Sequence, residues 1–223
     1  MFRDLILPPR SEPEEARGLL HELARRGCVI GTDEAGRGAL AGPVAAASVY
    51  LTPEQEERLT ALKLRDSKKI TALGREKLFS AMNEMGVMWR VFFGDVGRID
   101  RDNVLQASLW TMGRSVELLT QCLPSKPACV IVDGTERIPG LDVPQWTLIR
   151  ADNLIPSVSA ASVVAKVMRD RLMLKMSERY PGYGLERNKG YPTRQHMEAV
   201  RVMGMTEIHR RTFCRKILHG REK

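Results

Sequence analysis

The sequence predicts an α/β protein, a mixed five-stranded sheet flanked by helices and followed by a helical C-terminal region. Three observations carry that expectation. Apolar runs at 28–32, 44–51 and 87–93 read as early strands, and the first two lie close enough to form a hairpin. Two further runs, 128–132 and 145–149, alternate with helical pattern, and nothing from Ser157 onward reads as strand.

Taken in order, residues 13–26 carry acids early and arginines late, with Leu19, Leu20 and Leu23 at helical spacing, and predict a short amphipathic helix ending at Gly27. Cys28 to Thr32 and Val44 to Leu51 follow as strands, then helices over about 54–64 and 71–85 and a strand from Val87 to Phe93. Leu105, Leu109, Met112, Val116 and Leu119 form one stripe of a long helix expected over roughly 100–121. Ala128 to Val132 is a buried strand running into Asp133-Gly134, and Gln145 to Ile149 is another, ending before Ala151-Asp152. The remainder is helical, broken by a loop at Tyr180-Pro181-Gly182-Tyr183-Gly184. Three segments are therefore expected: an extension over 1–27, an α/β core over 28–164, and a basic helical region over 165–223 continuous with that core.

The chain has 223 residues, 43% hydrophobic and 28% charged, which suits one globular domain and not a disordered or fibrous chain. No apolar stretch approaches the roughly 18 residues of a membrane-spanning helix, and Met1 to Asp4 lack a secretory core, so a soluble, cytoplasmic monomer is the expectation. Cys28, Cys122, Cys129 and Cys214 stand too far apart in sequence to suggest a disulfide framework or a zinc ribbon. The net charge is +8, and its distribution is uneven. Residues 1–164 hold 20 basic and 21 acidic side chains, whereas 165–223 hold 15 and 6. A basic C-terminal region favours phosphate-bearing partners, although a solvated helical surface would give the same count.

Gly31-Thr32-Asp33-Glu34-Ala35-Gly36-Arg37-Gly38 leaves the first strand directly. It is not a phosphate loop of the G-x-x-x-x-G-K-[ST] kind, because Arg37-Gly38 replaces the lysine and hydroxyl and two acids would face the phosphates. Nor is Gly36-x-Gly38-x-x-Ala41 a dinucleotide fingerprint, since Pro43 stands where a helix should run. An acidic pair followed by a glycine-bracketed arginine remains. Asp33 and Glu34 are consecutive and would face opposite sides of a regular strand, so sharing one site is expected to need a departure from strand geometry, which Gly36 and Gly38 make easy. A tight surface turn with solvated charges would read the same way. Asp133 and Asp152 shift the balance, although either could be only a turn or helix-cap residue. Carboxylates at the ends of apolar strands need a cation or hydrogen bonds, and an all-oxygen set without nearby His or Cys suits Mg²⁺ or Mn²⁺.

With these residues quoted, the sequence closely resembles the ribonuclease HII (type 2 ribonuclease H) family over about 28–213. The resemblance rests on Asp33 to Gly38 with Leu40 to Val44, Asp66-Ser67-Lys68-Lys69, Ile99-Asp100 with Asn103, Val132-Asp133-Gly134, Ala151-Asp152, and Ser159 to Ser162 with Ala165-Lys166-Val167 and Arg169-Asp170. Tyr183-Gly184, Lys189-Gly190-Tyr191 and His209-Arg210 complete it. It implies a ribonuclease H-like fold and endonucleolytic cleavage of RNA in RNA–DNA hybrids and at ribonucleotides embedded in duplex DNA. Two Mg²⁺ or Mn²⁺ ions would serve the reaction, leaving a 5′-phosphate and a 3′-hydroxyl, in ribonucleotide excision repair. It further implies Asp33, Glu34, Asp133 and Asp152 as catalytic metal ligands, Gly36-Arg37-Gly38 as reader of the ribonucleotide 2′-OH, Tyr191 beside the following deoxyribose, and Lys68 and Asn103 as further substrate contacts. Arg150-Ala151-Asp152 departs from the Lys-Gly-Asp frequent in the family but keeps the charge. Asp170 rivals Asp152 as fourth ligand, yet Lys166, Arg169 and Arg171 around it predict an ion pair. A ribonuclease HIII-like enzyme and a catalytically silent hybrid-binding module are the alternatives. The first would need an added N-terminal domain where only about 27 residues precede the first strand, and the second gains nothing from acids facing phosphates.

Overall fold

The computed structural model describes residues 18, 22, 25, 27–62, 64 and 70–219. Most of the helix expected over 13–26, and the predicted substrate contact Lys68, lie outside the described residues. Five strands form one sheet: β1 (Cys28–Ala35), β2 (Val44–Tyr50), β3 (Met88–Gly94), β4 (Pro127–Asp133) and β5 (Gln145–Leu148), in the order β3-β2-β1-β4-β5. The first two pair antiparallel, as the hairpin spacing predicts, β3 adds antiparallel to β2, and β4 and β5 add in parallel beyond β1. The helices are α1 (Pro53–Ala61), α2 (Ala72–Glu84), α3 (Val96–Asp102), α4 (Val104–Thr120), α5 (Ala151–Leu154), α6 (Pro156–Arg179), α7 (Leu185–Asn188), α8 (Arg194–Met203) and α9 (Arg211–His219). Among the described residues no helix is long and apolar enough to cross a membrane.

The period-two pattern of the central strands sorts their side chains between two layers. Ile30, Ala46, Val130 and Val132 pack against the stripe of α4, namely Leu109, Met112, Val116 and Leu119. Ala47 and Val49 face the other way, toward Ala160, Ala161 and Val164 of α6, with Leu59 of α1 and Leu78, Phe79 and Met82 of α2 closing that layer. A third cluster, including Leu40, Met173, Leu185, Val200 and Ile208, joins the C-terminal helices to the segment after β1.

One expectation fails. The single long helix predicted over 100–121 is two helices broken at Asn103, whose φ of 70° leaves the helical region. Its side-chain oxygen accepts from the Leu105 and Gln106 N–H groups at 2.9 and 3.1 Å, so the asparagine just before the apolar stripe acts as the cap of α4. At the other boundary, α6 runs without interruption through residues 164 and 165, where the charge balance changes.

The helix that matters most for the site approaches at Gly31. A Cβ there would stand 2.4 Å from both the Ser157 carbonyl carbon and the Val158 nitrogen of α6, so β1 touches helix backbone directly. Gly31→Ala should therefore destabilise the protein by ~2–4 kcal/mol by pushing α6 off the sheet. Urea denaturation checks this, and a loss under about 0.5 kcal/mol would contradict the close approach.

Candidate active site

The site is set by strand register. Thr32 pairs with Val132 across the parallel β1–β4 contact, so the next residues, Asp33 and Asp133, stand side by side near the C-terminal ends of their strands. On the other flank, Asp33, Glu34 and Ala35 lie opposite Ala47, Ala46 and Ala45, whose methyl groups take little room. Strand geometry does not give way at the acids, contrary to the sequence-based expectation: β1 stays paired through Ala35, and the chain turns only at Gly36, with φ of 93°. The two acids can share a site because they stand at the strand's end. Asp33 lies on the α6 side, where Ser162 hydrogen-bonds it and Lys166 approaches, and its Oδ1 accepts the Glu34 N–H at 2.7 Å. Glu34 receives the Arg37 guanidinium at 3.3 Å.

Electrostatics tie three of the acids together. Burial, then the Glu34 and Asp133 charges, push the Asp33 carboxyl up from 3.8 to about 8, against the opposing Ser162 hydrogen bond and Lys166 charge. Glu34 is also raised, by burial first and by Asp133, with Arg37 opposing. Lys166 donates to Ser162 Oγ at 2.7 Å, making a chain from ammonium to hydroxyl to Asp33. Asp133 Oδ1 accepts the Ala151 N–H at 2.7 Å, which fixes the start of α5 against the end of β4. Asp152, one residue on, is buried, and its carbonyl accepts from Ser159 of α6. It follows directly on Ala151, whose amide is held by Asp133.

Among the described residues no three His, Cys, Asp or Glu side chains form a closed group that could hold a metal ion. The donor set nevertheless fits a hard divalent cation: its oxygens are crowded and poorly solvated, and their repulsion is what a cation relieves. The rival Asp170 is elsewhere engaged, with Arg75 of α2 at 3.4 Å. It forms the expected ion pair with a different partner, because Lys166 is bound to Ser162 and Arg171 to Glu76.

Beside the acids, Arg37 is half exposed and Gly38 faces open space. Tyr191 stands 39% exposed on the segment after α7. That segment docks on the one following β1: Leu40 N–H donates to the Gly190 carbonyl at 2.7 Å, and a Cβ on Gly190 would lie 2.3 Å from the Ala41 carbonyl oxygen. Both predicted readers thus belong to one surface. Asn103 is exposed at the start of α4, with its side-chain oxygen committed to the cap.

Several residues given no role in the sequence reading support this surface: Ser162, Lys166, Arg169, Arg210 and the buried pair His196–His209. The motifs containing most of them were visible, but burial was not. His196 Nδ1 lies 3.0 Å from the Tyr191 carbonyl and its Nε2 lies 3.2 Å from His209 Nε2.

Sheet order, acidic strand ends and the flanking helices together define a hydrolase of the ribonuclease H class. The sequence model of the family Ribonuclease HII matches residues 30–216, and the chain belongs to that family, whose members are divalent-metal-dependent endonucleases acting on RNA–DNA hybrids. Ribonuclease HII of Acaryochloris marina is 45% identical over 186 residues, 83% of this chain and 92% of its own. The ribonuclease H2 crystal structure from Pyrococcus horikoshii OT3 superposes with a TM-score of 0.68 at 29% identity, covering 86% of this chain and 98% of that one. Bst-RNase HIII in complex with Mn²⁺ superposes with a TM-score of 0.69 at 21% identity, over 88% of this chain and 71% of that one, a likeness of fold.

The histidine pair makes a pH prediction. Burial, then the neighbouring His196, depress His209 from 6.5 to about 4, so the unfolded chain takes up its proton first as pH falls. The stability this neutral histidine contributes is complete above its ordinary pKa and is lost as pH falls from about 6.5 to about 4, by up to ~3 kcal/mol. Urea midpoints over that window should fall more steeply for the wild type than for His209→Gln; parallel profiles would contradict the assignment.

Proposed function

We propose that this ribonuclease H cleaves on the 5′ side of ribonucleotides, both in RNA–DNA hybrids and where single ribonucleotides are embedded in duplex DNA, and so begins their excision. The products are a 5′-phosphate on the ribonucleotide and a 3′-hydroxyl on its neighbour. The observation that carries this reading is the direct continuation of the acidic strand end into the Gly36-Arg37-Gly38 turn, whose Arg37 and Gly38 are exposed, so the acids and the turn meet the same nucleotide. Gly38 adds a specific support. It has open space around it and no positive φ, so nothing in the protein requires a glycine there, whereas a sugar approaching its amide would.

Asp33, Glu34, Asp133 and Asp152 would hold two Mg²⁺ or Mn²⁺ ions, which when bound lower the pKa of water and stabilise charge on the departing oxygen. The chain's own part is orientation. Ser162 and Lys166 hold the Asp33 carboxylate, and the Ala151 amide holds that of Asp133. Arg37 offsets the charge of Glu34 and adds attraction for the phosphate. Backbone groups of Gly36 to Gly38 would recognise the 2′-OH, the one group that distinguishes the two sugars at a given position. The Tyr191 ring would pack on the following sugar, where a hydroxyl is disfavoured, and so select an RNA-to-DNA junction. Lys68 and Asn103 would add contacts to the strand, and the excess positive charge after Val164 would supply affinity that weakens with salt.

A duplex with one ribonucleotide, incubated with Mg²⁺, should be nicked 5′ to it, while EDTA or an all-DNA duplex should give no product. In the same assay Asp133→Asn should lower cleavage at least ~100-fold while keeping or tightening binding, since it removes a ligand and a repelling charge together. Cleavage of the all-DNA control, or full activity of Asp133→Asn, would sink the reading. Gly38→Ala separates recognition from folding. Its Tm should stay within about 2 °C of wild type while cleavage at the single ribonucleotide falls by about tenfold or more; unchanged cleavage would remove Gly38 from recognition.

A further inference from the structure

Two arginines of the C-terminal region never reach solvent. Arg169 of α6 and Arg210 just before α9 are 1% and 0% exposed, and each guanidinium donates to main-chain carbonyls. Arg169 bonds Pro43 through Nε (3.0 Å), Lys189 through Nη1 (2.9 Å) and Ala41 through Nη2 (3.1 Å). Arg210 bonds the Gly42 carbonyl through Nε and Nη2 (3.0 and 2.9 Å) and that of Arg37 through Nη1 (2.8 Å). A buried cation is costly, and carbonyl oxygens in a planar fork are the compensation that a guanidinium can use. Six main-chain bonds from two side chains hold a loop that needs to be held still.

Arg169 has the more unusual position. Its Cζ lies 5.2 Å from the centre of the Tyr191 ring, in cation–π range. A Cβ on Gly36 would lie 2.0 Å from its Nε, so the turn rests directly on this side chain. One guanidinium therefore touches the Gly36 turn, the Ala41 to Pro43 strap, the Lys189 carbonyl and the Tyr191 ring. We infer that Arg169 is the positioning residue that couples the 2′-OH-reading turn to Tyr191, making two separate sugar contacts into one rigid reader of the RNA-to-DNA junction, with Arg210 fixing the turn from below. The inference rests on the recognition roles proposed above for Gly36-Arg37-Gly38 and Tyr191.

A lysine could keep the charge of Arg169 but not the fork, since a point charge cannot serve three carbonyls in fixed directions. The readout is a ratio, kcat/KM on a duplex with one ribonucleotide followed by deoxyribonucleotides divided by kcat/KM on a continuous RNA strand paired with DNA. Arg169→Lys should lower that ratio about tenfold, while a merely structural role would lower both substrates in parallel. Tyr191→Ala should lower it as well, and Arg169→Lys/Tyr191→Ala should lower it no further than the worse single variant, because the two act as one unit. Multiplicative losses, or an unchanged ratio in folded Arg169→Lys, would overturn the inference. A wild-type enzyme without junction preference would remove the recognition roles and this inference with them. If Arg169→Lys does not fold, native-state hydrogen exchange of the wild type decides: the Leu40, Gly42 and Tyr191 amides should show protection within about threefold of one another, and independent opening of Tyr191 would overturn the coupling.

Discussion

The parallel register of β1 against β4 is the constraint on which the rest depends. Because Thr32 sits opposite Val132, Asp33 and Asp133 emerge together, and Glu34 follows within electrostatic reach of both. The fold then tightens the space around them. Alanines on β2 and the absent side chain of Gly31 bring sheet and helix close, and α6 supplies Ser162 and Lys166 from the buried side. Burial and mutual repulsion make the charged state of Asp33 unfavourable. Its folded pKa is raised, so its contribution to stability is full below the ordinary carboxylate range and is lost as pH rises toward about 8. A cation bound between the acids would reverse that balance. An acidic site held this way would trade stability of the metal-free protein for affinity toward a divalent ion.

The charge of the C-terminal region divides into two uses. Read as a count, residues 165–223 carry an excess of nine positive charges, which suggests a surface that attracts phosphate. Two of these, Arg169 and Arg210, lie inside and act on backbone. Others are matched to acids, as Arg171 is to Glu76 and Arg201 to Glu198. The same helices that present basic groups to solvent thus build the platform under the Gly36 turn and Tyr191. Asp100 of α3 adds to it by accepting from the Arg211 and Thr212 N–H groups at the start of α9, at 2.9 and 3.0 Å. On the proposed roles, affinity and recognition would be carried by neighbouring parts of one structural unit.

Much of the fold was legible because it follows from local pattern. Apolar runs bounded by turn residues located all five strands to within a few residues, and the stripe from Leu105 to Leu119 located α4. The acids were legible as strand-end residues, and the family motifs joined them to the glycine-arginine turn. What could not be read was tertiary. The parallel register that sets Asp33 beside Asp133 joins segments a hundred residues apart, and no periodicity encodes it. The break at Asn103 was hidden because the segment before the apolar stripe is also helical, so two helices joined at a single capping residue look like one. Asp170 was correctly expected in an ion pair, but Arg75, its partner, comes from a different helix. The buried arginines looked like surface charge because sequence does not reveal which carbonyls a fold leaves without partners.

The claim that the acids are held in a strained cluster awaiting a cation is tested most directly by thermal stability without nucleic acid. Tm would be measured at a pH just above 8 for wild type and Asp33→Asn, in EDTA and across a Mg²⁺ series. Mg²⁺ should raise the wild-type Tm with a saturable dependence, while Asp33→Asn, relieved of the repulsion and lacking the ligand, should gain little. Equal Mg²⁺ shifts in the two proteins, or no shift in the wild type, would contradict it.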